Sequence, residues 1–214
     1  MVDLLIAGPE GKIEAKYSHN ENDKSPIAII LHPDPVRGGS MNTKMVFRLY
    51  KIFVNNGFST IRFNFRGVGK SEGLFDDGEG ELSDAASVLD WLQNYNTNSK
   101  IVWVAGFSFG AWVAMQLLMR RPEINRFVAI SPQPNVYDFS FLTPCPTSGI
   151  IISGKKDELV PFESINELNK RLSAQKGIKV EFDVISDANH FFSKADEKLI
   201  KSLNKYIEKE TALY

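Results

Sequence analysis

Ile101-Val-Trp-Val-Ala-Gly-Phe-Ser-Phe-Gly-Ala-Trp-Val-Ala-Met-Gln-Leu-Leu-Met-Arg120 reads as a buried strand, a sharp Gly106-Phe-Ser-Phe-Gly110 turn and a helix leaving that turn. The β-branched run before the turn and the apolar spacing after it set the two elements apart. Glycines at 106 and 110 are the residues that let strand and helix backbones nearly touch, and the turn between them lifts one hydroxyl, that of Ser108, out of the sheet edge. A serine forced into such an elbow carries backbone strain of roughly 1–3 kcal/mol, which asks for a functional reason.

The flanking sequence repeats the alternation. Leu4 to Ala7 and Ile13 to Tyr17 are strand candidates joined by Gly8-Pro-Glu-Gly11, an antiparallel hairpin. Pro26 to Leu31 is a continuous apolar strand of the kind buried on both faces of a parallel sheet. Asn42 to Asn56 has helical spacing and stops at Asn56-Gly57; Ser59 to Phe65 is the next strand. Glu79 to Asn94 is a helix, capped by Ser83 or begun a turn earlier. After the elbow come strands over Asn125 to Ser131, Ser148 to Ser153 and Lys179 to Ile185, with helices over Pro161 to Ala174 and Phe192 to Glu208. Strands alternating with helices imply an α/β fold, a mainly parallel twisted sheet covered on both faces, as one domain over residues 1–214.

In open sheets of this kind ligands bind beyond the carboxyl ends of the strands. That rule directs attention to the loops beginning at His32, Arg66, Ser108, Ser131, Gly154 and Ser186. Three of them carry parts for acyl transfer. A serine hydroxyl attacks only when a neighbouring imidazole takes its proton. Of His19, His32 and His190, the last lies at a strand end in Asp187-Ala-Asn-His-Phe-Phe192 and is the natural base; His19 sits in a polar connection. The base needs a carboxylate to fix its tautomer. Asp157, in Lys155-Lys-Asp-Glu-Leu-Val-Pro161, fills that role, with Glu158 and Asp187 as rivals. The tetrahedral intermediate needs backbone N–H donors. The amide of Phe109, next to the nucleophile, is one; in the His32-Pro-Asp-Pro-Val loop neither proline has an N–H, so Asp34 is the other by elimination, with His32 bracing the loop and Gly38-Gly39 bringing it close to the ligand.

The order Ser…Asp…His, the Gly-Phe-Ser-Phe-Gly elbow, the His-Pro loop and Asn64-Phe-Arg-Gly-Val-Gly-Lys-Ser71 resemble the α/β-hydrolase superfamily, and within it the small cap-less bacterial serine hydrolases related to dienelactone hydrolases. The resemblance runs from about Ile27 to the last helix. It implies a sheet of about eight strands whose second strand is antiparallel, and hydrolysis through an acyl-enzyme. Two departures are Pro33, where many relatives have glycine, and a serine nucleophile where dienelactone hydrolases proper carry cysteine.

Other signals point elsewhere and are outweighed. Gly67-Val-Gly-Lys-Ser71 mimics a phosphate-binding loop, but the full pattern requires glycine where Asn64 stands. A metal held by His32, Asp34 and His190 would compete with the triad for His190, so neither metal nor cofactor is expected. Cys145, the only cysteine, reads as an inert loop thiol and excludes an internal disulfide. A net charge of −1 offers no basic footprint for nucleic acid. No apolar run approaches the roughly 20 residues of a membrane span, and the start of the chain lacks the pattern of a signal peptide. A cytoplasmic monomer or homodimer is expected.

Lids in this architecture grow after the sixth strand. The stretch Pro132 to Thr147 is too short for a substantial helical cap, so an open cleft edged by Met41, Phe107, Tyr137, Phe141, Leu159 and Phe191 is expected, suited to a small-molecule ester or thioester with a short acyl group. A small peptidase or amidase, and a non-catalytic ligand-binding module on the same fold, are the alternatives.

Overall fold

Apolar runs such as Ile27–Leu31 need hydrophobic partners on both faces, and the chain supplies them with helices on either side of one sheet. In the computed structural model, which describes residues 1–213, the strands are β1 (Val2–Gly8), β2 (Gly11–Ser18), β3 (Ile27–Leu31), β4 (Ser59–Phe63), β5 (Val102–Phe107), β6 (Ile124–Ile130), β7 (Gly149–Gly154) and β8 (Val180–Ile185). They form one sheet in the order β1-β2-β4-β3-β5-β6-β7-β8. β2 runs antiparallel to both β1 and β4, and every pairing from β4 to β8 is parallel. This is the cap-less α/β-hydrolase sheet, its second strand antiparallel.

Side chains alternate across the strands. Ile29, Leu31, Ile61, Phe63, Val104 and Ile151 pack on one face with helices α2 (Glu79–Tyr95), α3 (Phe109–Arg120) and α4 (Phe162–Ser173). Ala28, Ile30, Trp103, Ala105, Val128 and Ile152 meet α1 (Lys44–Asn55) and α5 (Asp196–Thr211) on the other. The strands between the two layers are therefore almost wholly apolar.

Two boundaries and one helix cap differ from the sequence reading, each for a local reason. The strand from Ser59 ends at Phe63: the Asn64 N–H still donates to the Glu14 carbonyl of β2 (2.8 Å), but the next amide leaves the ladder, Phe65 N–H donating to His32 Nε2 (3.0 Å). α2 begins at Glu79, and its first turn is closed by Glu81, whose carboxylate accepts from the Gly78 amide (2.8 Å); Ser83 lies inside the helix and donates to the Glu79 carbonyl (3.1 Å). α5 begins at Asp196 rather than Phe192, because Phe192 sits fully buried with φ +53°, a left-handed backbone that a helix cannot contain.

The elbow shows why its glycines are needed. A Cβ on Gly106 would lie 2.2 Å from the Gly110 carbonyl oxygen, and one on Gly110 would lie 2.5 Å from the carbonyl oxygens of Leu31 and His32. All of these obstacles are backbone and cannot swing aside. Gly106→Ala is therefore expected to destabilise the protein by about 1–3 kcal/mol or more, read as a fall of several degrees in Tm by calorimetry.

Candidate active site

β5 runs straight into α3, and Ser108 at the junction has φ +57° and ψ −118°. The turn is held by the Ser108 N–H donating to the Ile130 carbonyl (2.9 Å) and by the Ala111 N–H donating to the Ser108 carbonyl (3.0 Å). The hydroxyl that this lifts clear meets the ends of two other strands.

His190 Nε2 lies 3.2 Å from Ser108 Oγ, and its Nδ1 lies 2.8 Å from Asp157 Oδ2. The second contact places the ring proton on Nδ1 and leaves Nε2 as an acceptor facing the serine. Both side chains are buried, and the second oxygen of Asp157 accepts from the amides of Leu159 and Val160 (2.9 Å each), so the carboxylate is held by three donors. The rivals are engaged elsewhere or exposed: Asp187 pairs with Lys198 (2.8 Å), which holds its carboxyl below the usual range, and Glu158 faces solvent.

The loops carrying these groups are tied together by backbone. Lys155 N–H donates to the Ile185 carbonyl and Lys156 N–H to the Ala188 carbonyl (2.9 Å each). They pass so closely that a Cβ on Gly154 would lie 2.3 Å from the Ala188 oxygen. Ser131, buried with φ +43°, donates its hydroxyl to the His190 carbonyl (3.1 Å). Neither role stands out in the sequence, because each depends on a backbone group that only folding brings near.

Phe109 opens α3, so no carbonyl one turn earlier takes its N–H. Asp34 lies on the wall of the cavity at Ser108, and its side chain caps the following turn by accepting from the Val36 amide (2.8 Å). Gly38 and Gly39 lie on the same wall. His32 braces the loop: Nδ1 donates to the Pro33 carbonyl (2.6 Å) while Nε2 accepts from the Phe65 amide (3.0 Å).

The cavity has a volume of about 160 Å³. Phe107, Leu159 and Phe191 line it, as does Gln133, whose Oε1 lies 2.9 Å from Ser108 Oγ and which the sequence reading missed. Met41, Tyr137 and Phe141 do not line it. Met41 is buried, its amide donating to Asn64 Oδ1 (2.8 Å). Tyr137 stacks on Trp112 at 4.8 Å and Phe141 on Phe139 at 6.2 Å. The connection after β6 meets the serine only at Gln133; beyond it the chain is anchored to α3 and α4, with Trp112 Nε1 donating to the Asp138 carbonyl (2.9 Å) and Arg171 to that of Phe139 (3.1 Å).

The Gly67–Ser71 loop spends its polar groups internally: Lys70 N–H donates to the Glu14 carboxylate (2.9 Å) and Ser71 Oγ to the Asn64 carbonyl (2.7 Å). Cys145 is buried, which pushes its thiol pKa up. His19 is exposed and contacts the Tyr17 hydroxyl (2.9 Å). Among the described residues no His, Cys, Asp and Glu cluster is arranged to hold a metal, and no helix is long and apolar enough to cross a membrane.

Comparison with known proteins agrees with this geometry. Residues 11–198 match the family described as X-Pro dipeptidyl-peptidase (S15 family). The chain belongs to this family of α/β-hydrolases. An uncharacterized protein of Rickettsia prowazekii is 49% identical over 211 residues, spanning 97% of this chain and 89% of that one. The solved structure of ATU1826, a protein of unknown function from Agrobacterium tumefaciens, is 49% identical with a TM-score of 0.96, covering 99% of this chain and 97% of that one. XC6422 of Xanthomonas campestris, described as a serine hydrolase without lid, is 29% identical with a TM-score of 0.85, covering 97% and 94%. The family and these neighbours make this α/β-hydrolase a hydrolytic enzyme.

Burial holds the His32 pKa down to about 4, against an ordinary 6.5. The unfolded chain therefore takes up a proton below about 6.5 that the folded protein refuses until about 4. The stabilising contribution is complete above that window and falls as pH drops through it. Urea titrations at pH 7 and pH 4.5 are expected to show a stability loss that is smaller in His32→Asn.

Proposed function

We propose that this hydrolase cleaves small or short-acyl carboxylic esters and thioesters through an acyl-enzyme on Ser108. The observation that carries the reading is the unbroken chain of contacts from Ser108 Oγ through His190 to Asp157, at 3.2 and 2.8 Å, opening on a cavity of about 160 Å³. In the acylation step Ser108 Oγ attacks the carbonyl carbon as His190 Nε2 takes its proton, and Asp157 stabilises the imidazolium. The developing oxyanion is received by the amides of Phe109 and Asp34. His190 then gives the proton to the leaving group, and water repeats the cycle to release the acid.

The size of the cavity supports the short acyl group. It is edged by Phe107, Leu159 and Phe191, and of the short connection after β6 it is Gln133 that lines it, while the part around Asp138 and Phe139 is tied to α3 and α4. A long chain would lie mostly in water and add little binding energy. The family description favours a second reading, cleavage of the amide that follows an X-Pro dipeptide, which the same three side chains could perform with His190 protonating the departing amine.

Ser108→Ala is expected to lower kcat by roughly 10⁴–10⁶ and to abolish labelling by a fluorophosphonate probe; a variant that keeps its activity overturns the nucleophile assignment. In an assay panel, p-nitrophenyl acetate and butyrate should be turned over far faster than the palmitate. An X-Pro p-nitroanilide cleaved faster than either short ester would transfer the assignment to the peptidase reading.

A further inference from the structure

The Ser108 hydroxyl has one proton and two acceptors competing for it. With Nδ1–H given to Asp157, His190 Nε2 is a bare lone pair 3.2 Å from Oγ, while the Gln133 carbonyl oxygen lies at 2.9 Å. A hydroxyl donates to one acceptor at a time, and here the shorter contact leads away from the base. A serine whose proton rests on Gln133 is not yet a nucleophile.

We propose that the Gln133 side chain is a latch on the nucleophile, holding the Ser108 proton away from His190 until a ligand entering the cavity displaces the carboxamide. This rests on the reading of Ser108 as the attacking group. Gln133 is 6% exposed and lines the same cavity as Ser108, so whatever fills that space must move its side chain or pack against it. Its backbone stays behind: the Gln133 carbonyl accepts from the amides of Val136 (3.0 Å) and Tyr137 (2.9 Å), and the Tyr137 ring is stacked on Trp112. The moving part is thus the side chain alone. Once it turns aside, the hydroxyl proton has only His190 to go to. The opposite orientation of the carboxamide would set its NH₂ against a serine lone pair and assist the base; the two orientations make opposite kinetic predictions.

The test is the second-order rate of inactivation by a small fluorophosphonate, which reads the fraction of Ser108 already paired with His190. Gln133→Leu, close in size but without an acceptor, is expected to be labelled about 2–10-fold faster than the wild type, the worth of one competing hydrogen bond. Gln133→Ala serves as the second acceptor-free variant. Gln133→Glu, which keeps an acceptor oxygen at the same reach, is expected to gain no rate. Loss of a merely structural contact would lower Tm or slow labelling but would not quicken it. Labelling of Gln133→Leu and Gln133→Ala at or below the wild-type rate, with Tm preserved, overturns the latch and favours the assisting orientation; equal acceleration in Gln133→Glu also overturns it. A wild-type protein that labels no better than Ser108→Ala brings down the nucleophile assignment itself, an outcome separate from either of these.

Discussion

The constraint on which the structure depends is the crossing of two backbones at the elbow. The end of β5 passes the start of α3 so closely that neither Gly106 nor Gly110 has room for a methyl group, and the second obstacle is the carbonyl edge of the neighbouring strand β3. Such contact between main chains forces the connecting residue into a left-handed φ, and Ser108 accepts it at +57°. The strain is local, of roughly 1–3 kcal/mol, and is held by two well-packed layers that begin immediately on either side. One consequence is chemical. The same crossing that makes the hydroxyl prominent also sets the Phe109 amide free at the head of a helix.

Around that fixed point, rigidity comes from backbone contacts rather than from the acting side chains. His190 is positioned by its own carbonyl, held by Ser131, and by a loop pressed against β7 at Gly154. Asp157 accepts from two amides of its own turn as well as from His190. His32 links the loop after β3 to the one after β4, neutral because burial drives its pKa to about 4. The polar side chains of His32, Ser131 and Asp157 are thereby satisfied, which leaves the hydroxyl of Ser108 as the point where two acceptors compete.

Much of the fold is legible in the sequence because the sheet is mostly parallel. Strands buried on both faces read as unbroken apolar runs, and Ile27–Leu31 or Gly149–Gly154 cannot be mistaken for an exposed edge. Helix limits are harder. Phe192 continues an apolar spacing that resembles helix α5, yet its side chain is needed in the core at a backbone angle no helix allows. The cleft was the least legible part. Met41, Tyr137 and Phe141 have the right chemistry for a pocket wall, but Met41 is buried and the two rings stack on Trp112 and Phe139, while Gln133, an unremarkable polar residue in a connection, faces the serine.

The sequence by itself determined the alternation of strands and helices, the elbow glycines and the strand-end placement of Ser108, Asp157 and His190, because each follows from local periodicity or from a steric need within a few residues. Only the tertiary structure decided what lies against what. The distances among those three side chains, the anchoring of Asp138 and Phe139 to α3 and α4, and the approach of Gln133 to Ser108 arise from how loops of unrelated sequence meet at one sheet edge. Loop paths are set by the few backbone hydrogen bonds and close contacts available there, such as those at Gly154 and Ser131, and these have no periodic signature in the chain.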